Sequence, residues 1–295
     1  MDFETKPDKQ NLIRFDWAMK RLLRNKANFA VLEGFLTVLL GENVTIRNIG
    51  ESDANKTDPD DKFNRVDILT ENDRNEIFII ELQIDSQADY FYRMLYGVSK
   101  AIAESLQEGD EYIKVKKVYH INIVYFGLGQ GKDYVYHSRN DFYGIHHYDM
   151  LRLSENQQKI YRKTVAGDLF PEYYLLKVNN FNNVAKDSLD EWIYYLKNDR
   201  IPEEFTAPGL ADAREKLLYN RLSDGEKQDY DRHRWQVGHE KSLLATSRQE
   251  GRDELEKAIE EKDRTIEEKN KVLEERDREI AELRRLLEQS RRAPE

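Results

Sequence analysis

The chain has 295 residues, room for one large domain or two small ones, and a formal charge of −10. That balance excludes the global basic footprint behind tight non-specific nucleic-acid binding, so any such contact must be local or metal-assisted. The lack of cysteine excludes disulfides, thiolate metal sites and cysteine nucleophiles, and fits a reducing compartment. The apolar runs are strand- or helix-sized and the charged start MDFETKPDKQ resembles no signal peptide, so a soluble cytoplasmic protein is expected.

Residues 1–12 are polar and expected to be loose. Ile13 to Leu40 reads as helix, broken near Arg24-Asn25-Lys26, with Leu32, Phe35, Leu36 and Leu39 as its apolar stripe and Gly41 as its stop. Val44 to Ile49 alternates as a first strand, and a polar loop follows from Gly50 to Lys62. Two β-rich runs come next, Val66–Thr70 and Ile77–Ile80, joined by the Asn/Asp-containing turn Glu71–Asn75. Beyond Asp85–Asp89 the pattern predicts a helix whose stripe is Phe91, Leu95, Val98, Ile102 and Leu106, with Gly109 ending it and Arg93, Tyr96 and Lys100 on another face. Val115 to Leu128 is the most strongly β stretch and is expected at the centre of a sheet. Tyr134–His147 suits an edge strand or two, Tyr173–Val178 another, and Ser188–Leu196 a short aromatic helix. This order implies an α/β protein with a mixed sheet flanked by helices.

Ile201-Pro202 and Thr206-Ala207-Pro208-Gly209 mark a boundary, after which the chain reads as helical, with Ser223 and Glu226 as a capping box. The expected division is therefore 1–12, 13–200, a helical extension over 201–250, and a tail over 251–295. In that tail Ile259, Ile266, Leu273, Ile280 and Leu287 recur every seventh residue, while the companion positions Leu255, Lys262, Lys269, Arg276 and Leu283 are charged in the middle. The pattern reads as a marginal coiled coil or, on the same charges, as a solvated single helix.

The chemistry centres on Asn64 to Gln83. If the hairpin loop is Asp73-Arg74-Asn75, Asn72 pairs with Glu76 and Asp67 lies opposite Glu81, at a Cβ separation of roughly 4.5–5.5 Å. Two carboxylates at that distance repel unless one is protonated or a cation lies between them, and carboxylates suit Mg²⁺. Gln83 shares the face of Glu81. The pair is also open to a plainer reading, a strand-edge pair satisfied by Arg93 or Lys62. Other patterns carry less. Gly127 to Lys132 fails as a phosphate loop because Asp133 stands where Ser or Thr is needed. His146 and His147 on a strand would face opposite ways, and His233 and His239 do not share a helix side.

The spacing of Asp67 from Glu81-Leu82-Gln83, set among these elements, resembles the core of the PD-(D/E)XK nuclease fold. More narrowly it is similar to the recombination-promoting nuclease (Rpn) family, the PD-(D/E)XK nuclease family of transposases. The resemblance rests on Phe15-Asp16-Trp17-Ala18-Met19-Lys20-Arg21-Leu22, Phe35-Leu36, Leu39-Leu40, Asp61-Lys62, Val66-Asp67, Ile80-Glu81-Leu82-Gln83, Arg93 with Tyr96, Gly109 with Tyr112, and Val118-Tyr119-His120-Ile121. It implies a metal-dependent DNA endonuclease acting in recombination, mobile-element movement or defence. Asp67 and Glu81 would hold Mg²⁺ (or Mn²⁺), the Leu82 carbonyl would add a ligand, and Glu33 is a candidate third acid. Arg93 and Lys62 would meet the substrate phosphate. Gln83 stands where the wider superfamily has lysine; glutamine can only orient water and donate a neutral hydrogen bond, which leaves activation to the metal. A homodimer or higher homo-oligomer through the C-terminal helix is expected. The alternative is a catalytically silent nuclease-fold scaffold that assembles through the same helix.

Overall fold

The computed structural model describes residues 12–50 and 67–291. Residues 1–11 of the segment expected to be loose and most of the polar loop, with Asp61 and Lys62, lie outside the described residues; Leu12, the last of that segment, is buried and bridges to Leu218. The predicted N-terminal helix is two helices, α1 (Phe15–Arg21) and α2 (Phe29–Leu40). They separate where expected, because Asn25 caps a short turn through Ala27 N–H (3.0 Å) and the Asn28 side chain donates to Leu22 O (2.9 Å). Gly41 ends α2 in the left-handed region at φ 70°.

A six-stranded sheet follows in the order β1-β2-β3-β4-β6-β5. Its strands are β1 (Ile46–Gly50), β2 (Ile68–Asn72), β3 (Ile77–Gln83), β4 (Val118–Val124), β5 (Val135–Ser138) and β6 (Glu172–Lys177). The β3–β4 and β4–β6 pairs are parallel and the others antiparallel, so the sheet is mixed, as expected. Every residue of β4 is buried, which matches its near-continuous apolar run and its place inside the sheet. β6 lies inside the sheet too, between β4 and the edge strand β5. Beyond Ser138 the predicted second edge strand is irregular, with one isolated bridge between Tyr143 and Met150.

Helix α3 (Tyr90–Glu104) covers one face of the sheet, but its buried side is Tyr90, Met94, Gly97, Val98 and Ala101. Phe91 and Leu95, the first members of the predicted stripe, are 53% and 57% exposed. Both stripes contain Val98, and the predicted Ile102 also packs on the sheet as a partly buried residue, but the helix is turned about one position from the prediction: Val98 and Ala101 fit against Ile77, Ile79 and Val118, while Tyr90 and Met94 fit against Val124, Phe126 and Leu175. Residues facing the other side, among them Phe78, Ile80, Ile121 and Ile123, are buried as well. The helix α5 (Ser188–Asn198) joins α1 and α2 in an aromatic cluster in which Phe15 sits about 6 Å from Phe35, Trp192 and Tyr195.

A short helix, α4 (Glu155–Tyr161), was not expected, although Ser154 and Gln157 form a full capping box. Helix α6 (Leu210–Lys216) follows a turn that presses on α2: a Cβ on Gly34 would lie 2.4 Å from Gly209 Cα. The Trp192 indole donates to Pro208 O at 3.0 Å, and Ile13 N–H to Leu217 O at 2.9 Å. These contacts place residues 201–217 in the same compact unit as the sheet, which runs to Lys227. The second unit, Gln228–Glu295, is built from α7, a helix over Asp224–Arg291 that starts on the predicted Ser223–Glu226 box. Along it Leu255, Ile259, Ile266, Leu273 and Ile280 are exposed.

Candidate active site

The geometry of the site begins with Asn72. Its side-chain oxygen accepts from Arg74 N–H (3.0 Å) and Glu76 N–H (2.9 Å), its amide donates to Glu76 Oε2 (2.8 Å), and Asn75 takes a positive φ of 60°. That is local turn chemistry of a kind Asn favours. It closes the three-residue loop Asp73–Asn75, with Asn72 N–H on Glu76 O. The ladder then runs Glu71 to Ile77, Thr70 to Phe78, Leu69 to Ile79 and Ile68 to Ile80. One step further it sets Asp67 opposite Glu81, and a direct bond ties them to one locus: Leu82 N–H donates to Asp67 Oδ2 at 2.8 Å.

Glu81 is 2% exposed, and neither carboxylate oxygen has a hydrogen-bond partner among the described residues. Its neighbour across the β3–β4 ladder is Asn122, but the Asn122 amide donates to His120 O and Tyr174 O while its oxygen accepts from Tyr90 Oη at 3.1 Å. Asn122 therefore does not serve Glu81. The Arg93 guanidinium, on α3, comes to 3.6 Å from Glu81 Oε2, an ion-pair distance beyond a hydrogen bond. Burial pushes the Glu81 carboxyl up to about 7; Arg93 opposes that shift and the Asp67 charge adds to it. Asp67 is also raised by burial, with the Lys20 ammonium and the Leu82 N–H pulling the other way.

The structure thus brings together Asp67, Glu81, Leu82, Gln83 and Arg93. Gln83 is partly buried at the end of β3, its amide 3.4 Å from Asp85 O. Glu33 is engaged elsewhere: its Oε1 accepts the Ile46 N–H at 2.8 Å where β1 begins. Ile46 pairs with Asn72, five residues along the hairpin from Asp67 and so roughly 16 Å away at the rise of a strand. Lys62 lies outside the described residues.

Two cations had no site role in the sequence reading. Lys20, near the end of α1, brings Nζ to 3.6 Å from Asp67 Oδ1, and Arg24 donates to the Asp67 carbonyl at 2.9 Å. These contacts join positions 47 and 43 residues apart, and no local pattern announces them.

Among the described residues no group of three or more His, Cys, Asp or Glu side chains is placed to hold a metal ion. The residues at this locus nevertheless fit a hard divalent cation. Two opposed carboxylates, one with both buried oxygens lacking a hydrogen-bond donor, offer lone pairs that a proton or a divalent cation can satisfy. No helix of the described residues is long and apolar enough to cross a membrane.

No curated protein and no solved structure matches the chain. The model of one family, described as PD-(D/E)XK nuclease family transposase, matches residues 13–247. With four-fifths of its length inside that match, the chain belongs to the PD-(D/E)XK nuclease family of transposases.

Proposed function

We propose that the protein is a Mg²⁺- or Mn²⁺-dependent DNA endonuclease. The observation that supports this best is the buried Glu81 carboxylate, which lacks a hydrogen-bond donor and faces Asp67 in a family of nucleases. Asp67 and Glu81 would hold the cation, with the Leu82 carbonyl as a further oxygen ligand. Such a cation supplies positive charge against the phosphate oxygens and acidifies water for attack. Hydrolysis forms a bond from a water oxygen to phosphorus and breaks one phosphorus–sugar oxygen bond. Solvent receives the proton that the water loses and returns one to the leaving oxygen. Within this reaction Gln83 orients water by a neutral hydrogen bond. Arg93, already beside Glu81, offers a guanidinium to the phosphate.

The reading assigns the chemistry to residues 13–200 and to the C-terminal helix the task of pairing two or more copies in the cytoplasm. The family description favours a role in mobile-element movement or recombination, with defence as a related setting. Plasmid cleavage tests it. Cutting should require Mg²⁺ or Mn²⁺, stop with EDTA, and fall by at least about 10³-fold in Asp67→Ala and Glu81→Ala, as expected when a catalytic charge is removed. Metal-dependent nicking that survives both substitutions would refute the site. The acidic balance of −10 favours the competing reading, a nuclease-fold scaffold, which predicts no cutting by any version.

A further inference from the structure

We propose that Lys20 is a catalytic residue, the ammonium that stabilises negative charge on the scissile phosphate. The inference rests on the endonuclease reading above and deepens it. Phosphodiester hydrolysis concentrates negative charge on the phosphate oxygens in the transition state, and a fixed cation aimed at that charge is among the strongest catalytic devices. On β3 the residue two past Glu81 is Gln83, which carries no charge. Arg93 lies against Glu81 and also donates to Gln87 Oε1 at 3.1 Å, so the guanidinium it offers lies on the Glu81 side of the pair and leaves the Asp67 side to another cation.

Lys20 approaches from α1. Its Nζ is 3.6 Å from Asp67 Oδ1, while the other oxygen, Oδ2, is held by Leu82 N–H. The ammonium is therefore beside the carboxylate that would hold the cation, on the oxygen that the backbone leaves open. Half of the Lys20 side chain is exposed, against 16% for Asp67. Half exposed, the ammonium keeps part of its hydration and its rotamer freedom, so it is not locked onto Asp67. Reaching in from solvent, at the rim of the carboxylate pair, it stands where an entering phosphate would arrive. Arg24 steadies the same strand end through the Asp67 carbonyl, so removal of Lys20 leaves a second tie between the helical segment and β2.

The test uses the full chain and four versions: wild type, Lys20→Met, Lys20→Arg, and Lys20→Met combined with Gln83→Lys. Cleavage rate at saturating Mn²⁺ is measured beside Mn²⁺ affinity by calorimetry and binding of uncut DNA in Ca²⁺. Lys20→Met should lose about 10²- to 10³-fold in kcat while holding Mn²⁺ at least as well as wild type, because a competing charge has gone. Lys20→Arg should keep part of the rate. Returning an ammonium from β3 in the double variant should recover at least about tenfold, an outcome that a purely structural Lys20 does not give. A Lys20→Met protein that cuts as fast as wild type overturns the proposal and leaves the endonuclease reading standing. So does one whose Mn²⁺ affinity falls in step with its rate. A wild type that cuts nothing overturns both.

Discussion

A carboxyl group with nothing to donate to it is stable inside a protein if it keeps its proton, and Glu81 is such a group. Its ordinary value is 4.5 and burial raises it to about 7. In the metal-free protein the folded state therefore binds a proton through a range in which the unfolded chain has released it. Stability from this group is full below about pH 4.5 and is lost as the pH rises towards 7. The gap corresponds to roughly 3 kcal/mol. Glu81→Gln, which cannot titrate, should lack that slope. In urea denaturation with chelator present, the stability of Glu81→Gln relative to wild type should climb by that amount between pH 5 and pH 8. Two parallel pH profiles would show that a donor reaches Glu81 in solution. The same argument gives the divalent cation a structural consequence: by replacing the proton it should raise the melting temperature of wild type at pH 8 and leave Glu81→Gln much less affected.

At the scale of elements, the hairpin is the part that local chemistry controls. Asn72 is fully buried and holds Arg74 N–H, Glu76 N–H and Glu76 Oε2 together, and a register slip of one residue would move every side chain to the other face. Asn72→Ala removes the acceptor of the Arg74 and Glu76 N–H groups, while Glu76 Oε2 keeps Arg74 Nε at 2.9 Å, and should cost about 2 kcal/mol in the midpoint-derived stability. A loss below about 0.5 kcal/mol would mean that the strand pattern alone holds the register. This locality explains why the loop, the Asn72–Glu76 pairing and the opposition of Asp67 and Glu81 were legible in the sequence. Each follows from an alternation of two and a turn residue within twenty positions. The exact phase of α3 was not legible, since Phe91 and Leu95 compete with Tyr90 and Met94 for the sheet, although Ile102 does pack there beside Ala101. The choice between them belongs to Ile79, Val118 and Leu175 on distant strands. Glu33 shows the same limit: as an acid on the first long helix it was a candidate for the site, but the group it meets, Ile46 N–H, is set by where β1 enters the sheet. Lys20 and Arg24 reach Asp67 across more than forty residues, beyond any periodicity.

At the scale of the whole molecule the open matter is what α7 does with its apolar seam. A helix over Asp224–Arg291 extends about 100 Å at 1.5 Å per residue, and as a single strand it buries little: Leu255 is 61% exposed, Ile266 55% and Ile280 46%. Pairs such as Lys271 with Glu267 at 3.4 Å and Arg278 with Glu274 at 3.9 Å add a few tenths of a kcal/mol each, too little to favour so long an element alone. Burying the seam against a second copy would supply what the isolated helix lacks. The charged companions Lys262, Lys269 and Arg276 weaken that seam at its middle, so the association should be concentration-dependent rather than permanent. Light scattering of the full chain should therefore report a dimer or larger species. A chain ending at Gln249, or one carrying Ile266→Asp with Leu273→Asp, should be smaller. Two active sites held together would convert supercoiled plasmid to linear product with little nicked intermediate, whereas the shortened chain should accumulate nicked circles at a similar initial rate. An unchanged mass after truncation would remove the tail from assembly, and an unchanged ratio of linear to nicked product would separate assembly from cutting.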